Sequence, residues 1–331
     1  MKAAFITGTG SAEVIRYGDL PDPQPGPHEA LIRVRACAVN PIDTYVRSGA
    51  VAMALPLPYV VGCDLAGDVV AVGACVERFR PGDRVWGSNQ GLLGRQGTFA
   101  ELAAVDERWL YATPAEVSDR QAAAAALVAI TAHLGLIDRA ALKEGEAILV
   151  SGGSGGVGMA VVQIAKALGA RVVATAGSPE RREFVRKLGA DVVLDPQRAD
   201  LVEAVREAAP GGVDVHWETR RDPQFDQTIE MLADGGRMVL MAGRDARPPF
   251  PVGPFYVKGC SLHGFVMFKA DSQRQAAAAA DINRWMARGA LRIPAGRVLP
   301  LSQTAHAHHL QESGGLLPSS PPLMGKILVE P

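Results

Sequence analysis

The plainest chemistry in the chain lies in Ala147-Ile148-Leu149-Val150-Ser151-Gly152-Gly153-Ser154-Gly155-Gly156-Val157-Gly158, which runs into Met159–Leu168. A buried strand enters a glycine turn there and leaves as a helix. Gly153, Gly155 and Gly158 fit the spacing GxGxxG. In that motif small residues let the backbone approach a pyrophosphate, and the helix start offers unpaired N–H groups. Gly153, Gly155, Gly156, Val157 and Gly158 are thus the expected dinucleotide contacts. A lone glycine turn could be no more than tight, but strand, turn, helix and next strand are all in register here. The tip of the next strand decides which dinucleotide. A carboxylate at that tip accepts hydrogen bonds from the ribose hydroxyls of NAD. This strand ends Ala174-Thr175-Ala176-Gly177-Ser178 without an acid, and Pro179-Glu180-Arg181-Arg182 follows. A hydroxyl and two guanidinium forks, of Ser178, Arg181 and Arg182, suit a 2′-phosphate dianion. The expectation is NADP(H).

The elements that position this turn are legible around it. Candidate strands at Ala147–Val150, Val172–Ala176, Val192–Leu194, Val213–Trp217, Met238–Met241 and Ser261–Phe268 alternate with helical stretches. The helices are expected at about Val157–Leu168, Glu180–Leu188, Ala199–Ala208 and Phe225–Leu232. That alternation predicts an α/β, doubly wound parallel sheet. Before it, Lys2–Ile6, Glu29–Ala38, Asp68–Val72 and Asp83–Trp86 are short strand-like runs divided by Pro/Gly turns, the pattern of a compact β domain. Ser118-Asp119-Arg120-Gln121 reads as a helix start. After Phe268 come a helix at about Ser272–Arg288 and a β-like tail, Gly325–Val329, which matches the first third in texture.

Composition narrows the function classes. The 331 residues favour two domains, and 34 basic against 35 acidic residues leave a net charge of −1. No global field draws in nucleic acid or an anionic membrane. Cys37, Cys63, Cys75 and Cys260 form no CxxC pair, which argues against a disulfide framework or zinc knuckle. The longest apolar stretch, Ala122–Ala132, falls short of a membrane span. A soluble, cytoplasmic protein is expected.

Taken together, several segments resemble the medium-chain dehydrogenase/reductase superfamily, and within it the zinc-free, zeta-crystallin-like quinone oxidoreductases. They are Val39–Gly49, Gly62-Cys63-Asp64-Leu65-Ala66-Gly67, Phe79–Val85, Ser154–Gly158 and Gly325-Lys326-Ile327. The resemblance implies a GroES-like, β-rich substrate domain over 1–122 and 269–331, with a Rossmann domain inserted at 123–268. It places the active site in the interdomain cleft. Zinc-dependent relatives have Cys where this chain has Asn40, and His-Glu where it has Cys63-Asp64, so no zinc is expected. His306, His308 and His309 read as exposed helix residues rather than ligands.

The implied reaction is direct hydride transfer from NADPH, without flavin, to an electrophile such as a quinone, enone or enal. Asn40 and Tyr45 are the expected catalytic donors to the acceptor oxygen, with Asp43 orienting either group or capping a helix. Trp86 could wall an aromatic pocket. Thr131, Gly243 and Phe265 match cofactor-contacting positions of the family, and Arg181 stands where relatives commonly have the Lys that faces the 2′-phosphate. Asp195-Pro196 stands where relatives often have Asn-Tyr, removing one expected contact. The alternatives are an enoyl-thioester or alkenal double-bond reductase and, from another class, a non-catalytic NADPH-binding protein. Leu316–Leu323 looks like an insertion. The apolar sixth strand, expected at a sheet edge, points to a homodimer.

Overall fold

A computed structural model of the chain describes residues 1–314 and 323–331. The chain forms two compact units, one of Met1–Leu127, Asp271–Ala287 and Arg292–Pro331, the other of Val128–Ala270 and Arg288–Leu291. The expected insertion lies outside the described residues except for Leu323.

The first unit opens with β1 (Lys2–Ile6), β2 (Arg16–Asp19), β3 (Glu29–Ala38), α1 (Pro41–Ser48) and β4 (Tyr59–Val60). It continues through β5 (Leu65–Val72), β6 (Arg84–Gly87), β7 (Leu102–Asp106) and β8 (Leu110–Ala112). β3 is the spine. Its Ala30, Ile32, Val34 and Ala36 are buried in strict alternation, as one face of a pleated strand requires. Antiparallel ladders join β3 to β5 and to β7.

α2 (Asp119–His133) begins where Ser118 Oγ accepts a hydrogen bond from Gln121 N at 3.3 Å. The helix runs on through a π-helical turn, Leu134–Arg139. That carries it past Ala122–Ala132 to 21 residues, long and apolar enough by length and composition to cross a membrane. Its most apolar window is 78% buried inside the protein, so it serves as a core helix.

The second unit alternates β9 (Ala147–Ser151), α3 (Gly156–Ala167), β10 (Arg171–Thr175), α4 (Pro179–Lys187), β11 (Val192–Leu194) and α5 (Leu201–Ala208). β12 (Val213–Glu218), α6 (Phe225–Met231), β13 (Leu232–Leu240), α7 (Val252–Val257) and β14 (Ser261–Gly264) complete it. The six strands lie in the order β11-β10-β9-β12-β13-β14, all parallel. This is the doubly wound dinucleotide order, whose direction reverses between β9 and β12. β14 ends at Gly264 rather than Phe268. Among the described residues it pairs with β13 alone, whose last paired residue, Leu240, lies opposite Gly264, so among those residues 265–268 have no strand to follow.

The chain returns to the first unit with α8 (Ser272–Ala287), β15 (Ala295–Pro300), α9 (Thr304–Glu312) and β16 (Lys326–Glu330). β16 pairs with β3 through Leu328↔Ala38 and Val329↔Cys37. On α9, His306 and His309 are exposed as expected, but His308 is fully buried. Its ring meets Phe99 edge-on at 6.2 Å.

Candidate cofactor and active site

The glycine turn joins β9 to α3 and is latched from both neighbouring strands. On the β10 side, Gly153 N donates to Thr175 O at 2.9 Å and Gly152 N to Thr175 Oγ1 at 3.1 Å. On the β12 side, Thr219 Oγ1 donates to Ser151 O at 2.5 Å, and Ser151 Oγ lies 2.8 Å from His216 Nε2. Burial lowers the His216 pKa to about 4, so its ring is neutral around pH 7. Gly158 is demanded by packing: a Cβ there would sit 2.2 Å from Gly152 O. Met159 N makes the first helical bond, to Gly155 O at 2.8 Å. The amides of Gly156, Val157 and Gly158 therefore open the helix without intrahelical acceptors. Backbone donors left open in this way are suited to an anion.

At the tip of β10, Ser178 caps α4 by accepting from Arg181 N at 3.3 Å. The two arginines that follow part company. Arg182 Nη1 donates to Asp195 Oδ2 at 2.8 Å and to Ala176 O at 3.3 Å, so it is tied to the end of the neighbouring strand β11. The Arg181 guanidinium has no partner among the described residues. Of the two guanidinium groups expected at this tip, Arg182 is paired and Arg181 is not, and Asp195 acquires a structural job. No carboxylate stands between Thr175 and Ser178.

The remaining cofactor candidates also lie in the second unit. Thr131 is buried in the last turns of α2. Gly243 follows β13 at φ +74, where a Cβ would meet Arg221 O at 2.6 Å. Phe265 meets Trp217 edge-on at 6.5 Å, with the Arg139 guanidinium 5.9 Å from its ring centre.

In the first unit Asn40 precedes α1 and is completely buried. Its Nδ2 donates to Ala38 O at 3.1 Å and to Asp64 Oδ2 at 2.8 Å. Its Oδ1 accepts from Lys326 Nζ at 2.6 Å. Both amide hydrogens are committed, so Asn40 has none left for a substrate and its expected role as a direct donor is corrected. Asp43 Oδ2 accepts from Asn40 N at 2.7 Å, which makes it a cap of α1. Burial raises the Asp43 and Asp64 carboxyls, the latter to about 6. Tyr45, by contrast, is half-buried on the second turn of α1, its hydroxyl without a partner among the described residues. Trp86 is fully buried, donating Nε1–H to Asn283 Oδ1 at 2.9 Å and packing 4.9 Å from Tyr111. It is a core residue and not a pocket wall.

Residue-type reasoning missed Lys326 and Asp64 as partners of Asn40, and Thr175, His216 and Thr219 as latches of the turn. One signal was present: Lys326 directly precedes the apolar run Ile327-Leu328-Val329 of a core strand.

Comparison with known proteins agrees with this geometry. Residues 26–115 match the alcohol dehydrogenase GroES-like domain, and residues 156–282 match the zinc-binding dehydrogenase domain. The chain is 34% identical over 312 residues to a quinone oxidoreductase of Sus scrofa, covering 93% of each protein. The chain belongs to the quinone oxidoreductase family of medium-chain dehydrogenases/reductases. It is accordingly an oxidoreductase, with a Rossmann sheet and a GroES-like domain. An NADPH-dependent alkenal/one oxidoreductase of Arabidopsis thaliana is 35% identical over 257 residues, 76% of this chain and 64% of that protein. Among solved structures, one described as an NAD-dependent alcohol dehydrogenase superposes with a TM-score of 0.90 at 32% identity, covering 100% and 99% of the chains. The Escherichia coli quinone oxidoreductase complexed with NADPH superposes at 0.86 and 25% identity, covering 100% of both.

The zinc that one domain description implies does not fit the side chains here. Among the described residues no three of His, Cys, Asp and Glu come together to hold a metal. Beside Asn40 stands the ammonium of Lys326, a donor rather than a ligand.

Proposed function

We propose that the chain is an NADPH-dependent reductase of quinones or other α,β-unsaturated carbonyl compounds, acting by direct hydride transfer without zinc or flavin. What carries the reading is the open anion site at the head of α3 next to an acid-free β10 tip whose Arg181 is uncommitted. The amides of Gly156, Val157 and Gly158 would hold the pyrophosphate, with Gly153 and Gly155 allowing its close approach. Ser178 and Arg181 would hold the 2′-phosphate, and Thr131, Gly243 and Phe265 the nicotinamide side. NADPH supplies, when bound, a hydride. Tyr45 is the proposed donor to the oxygen on which negative charge grows.

An electrophilic acceptor suits this donor set, because a single phenol polarises a quinone or enone more easily than a simple ketone. The Arabidopsis relative favours alkenals as a second substrate class. The test is NADPH oxidation by the purified protein with a benzoquinone, a 2-alkenal, an enoyl-CoA and a simple ketone. Turnover of quinone or alkenal but not of ketone is expected. Turnover of the enoyl-CoA alone would shift the reading to an enoyl-thioester reductase. Tight NADPH binding with no turnover of any acceptor would overturn the proposed substrate class.

We further read the protein as a cytoplasmic homodimer. Among the described residues β14 is the outer strand of the sheet; Leu262 is exposed on it and Val266 just after it, with Tyr256 and Val257 exposed on α7. A monomeric mass by light scattering across concentrations would reject the dimer.

A further inference from the structure

We propose that Lys326 is a positioning residue of the reaction, its buried ammonium fixing the Asn40 amide and with it the first turn of the helix that carries Tyr45. The inference rests on the reading of Tyr45 above. Lysine is almost never fully buried unless paired, yet Lys326 is only 5% exposed, on the strand that closes the first unit. Its Nζ donates to Val39 O and to Asn40 Oδ1, both at 2.6 Å, across 286 residues of sequence in the second case. The carboxylates of Asp64 and Asp43 attract the charge and oppose the effect of burial.

An amide side chain presents an oxygen on one side and donors on the other, and it can turn over. Here both sides are dictated. Lys326 can only donate, so it demands the Asn40 oxygen, while Asp64 Oδ2 accepts and so demands the nitrogen. Asn40 in turn begins α1, where Asp43 Oδ2 grips its backbone N–H. A methionine would fill the same space in an apolar strand, but it could not choose the orientation of that amide. Tyr45 lies five residues beyond Asn40, one turn into the helix. Its hydroxyl must meet the acceptor oxygen closely, and a misplacement of about 1 Å can lower the rate on the order of a hundredfold.

The test is a double-mutant cycle on benzoquinone turnover, with NADPH affinity and thermal midpoint measured alongside. Lys326→Met should lower kcat about tenfold or more and leave NADPH affinity unchanged. Added to Tyr45→Phe, it should lower kcat no further, because both changes remove one function. Losses that multiply would place the action of Lys326 elsewhere and overturn the proposal, as would wild-type kcat in Lys326→Met; the reading of Tyr45 survives both results. Wild-type kcat in Tyr45→Phe would overturn that reading and the proposal with it. Lys326→Met/Asp64→Asn removes the carboxylate left uncompensated and guards against a single variant that fails to fold. Its midpoint should recover while kcat stays low. Recovery of kcat as well would show that the ammonium only neutralises charge, which would overturn the proposal.

Discussion

The glycine turn and the Asn40 cluster solve opposite problems with opposite means. The turn leaves backbone donors open: the amides of Gly156, Val157 and Gly158 precede the first helical bond at Met159. The cluster instead ties down one amide: every side-chain hydrogen-bonding atom of Asn40 is engaged by Ala38, Asp64 or Lys326, while Asp43 Oδ1 and Asp64 Oδ1 are buried without a hydrogen-bond partner among the described residues. An anion site must stay unsatisfied until its ligand arrives. A buried amide keeps one orientation when its own donors and acceptor are all paired, because a half-paired one is costly and free to turn. The first is assembled from one short stretch of chain, the second from residues as far apart as Asn40 and Lys326.

The largest effect should come from closing the turn's tightest contact. In Gly158→Ala the new methyl would stand 2.2 Å from Gly152 O, a backbone atom that cannot swing aside. We expect NADPH affinity to fall by about a hundredfold or more, equivalent to about 2.7 kcal/mol, read by calorimetric titration. Gly155→Ala is the contrast, because its Cβ would lie 3.4 Å from the same oxygen. Its thermal midpoint should stay close to that of the wild type. Equal damage from both substitutions would show that packing against Gly152 does not define the turn.

The next effect separates the two arginines at the β10 tip. Arg181 is uncommitted, whereas Arg182 is paired with Asp195. Arg181→Ala should weaken NADPH by about tenfold, roughly one charge-assisted contact, and leave NADH unchanged. Arg182→Ala should alter both cofactors alike and slightly, since a partly exposed ion pair contributes about 0–1 kcal/mol. The reverse pattern, read from the two dissociation constants of each variant, would assign the 2′-phosphate to Arg182.

These regions also differ in how far the sequence discloses them. The turn is legible because its chemistry is local: spacing, small residues and flanking strands all sit within Ala147–Leu168. β3 is legible in the same way, from the alternation through Ala30, Ile32, Val34 and Ala36. The reach of β14 depends on its partner β13, which no property of residues 261–268 records. Asn40 and Trp86 read as site residues by type, and only the fold shows that Asp64, Lys326 and Asn283 occupy their donors and acceptors. Arg181 and Arg182 are adjacent and chemically identical, so residue type leaves both open; the family resemblance singles out Arg181, and the contact with the next strand that ties down Arg182 is visible only in the fold.

The smallest effect is a difference in sign with pH. His216, beneath the turn, has its pKa lowered from 6.5 to about 4 by burial. Between those values the unfolded chain binds the extra proton, so stability rises with pH and is lost as acid is added. Asp64, in the cluster, has its pKa raised from 3.8 to about 6, again first by burial. There the folded protein binds the extra proton, so its contribution is full below about pH 3.8 and gone above about 6. His216→Gln retains a neutral partner for Ser151, and its thermal midpoint should fall less than that of the wild type between pH 6.5 and 4. Asp64→Asn retains an acceptor for Asn40 and should fall more steeply over the same range. Each difference should be a few degrees, since 1 kcal/mol shifts the midpoint by about 2–4 °C in domains of 150–250 residues. Midpoints for both variants that run parallel to the wild type would mean that neither group titrates in its buried place. Opposite deviations would show that burial, acting on a base in one region and an acid in the other and outweighing the neighbouring charges, sets the sign of each pH response.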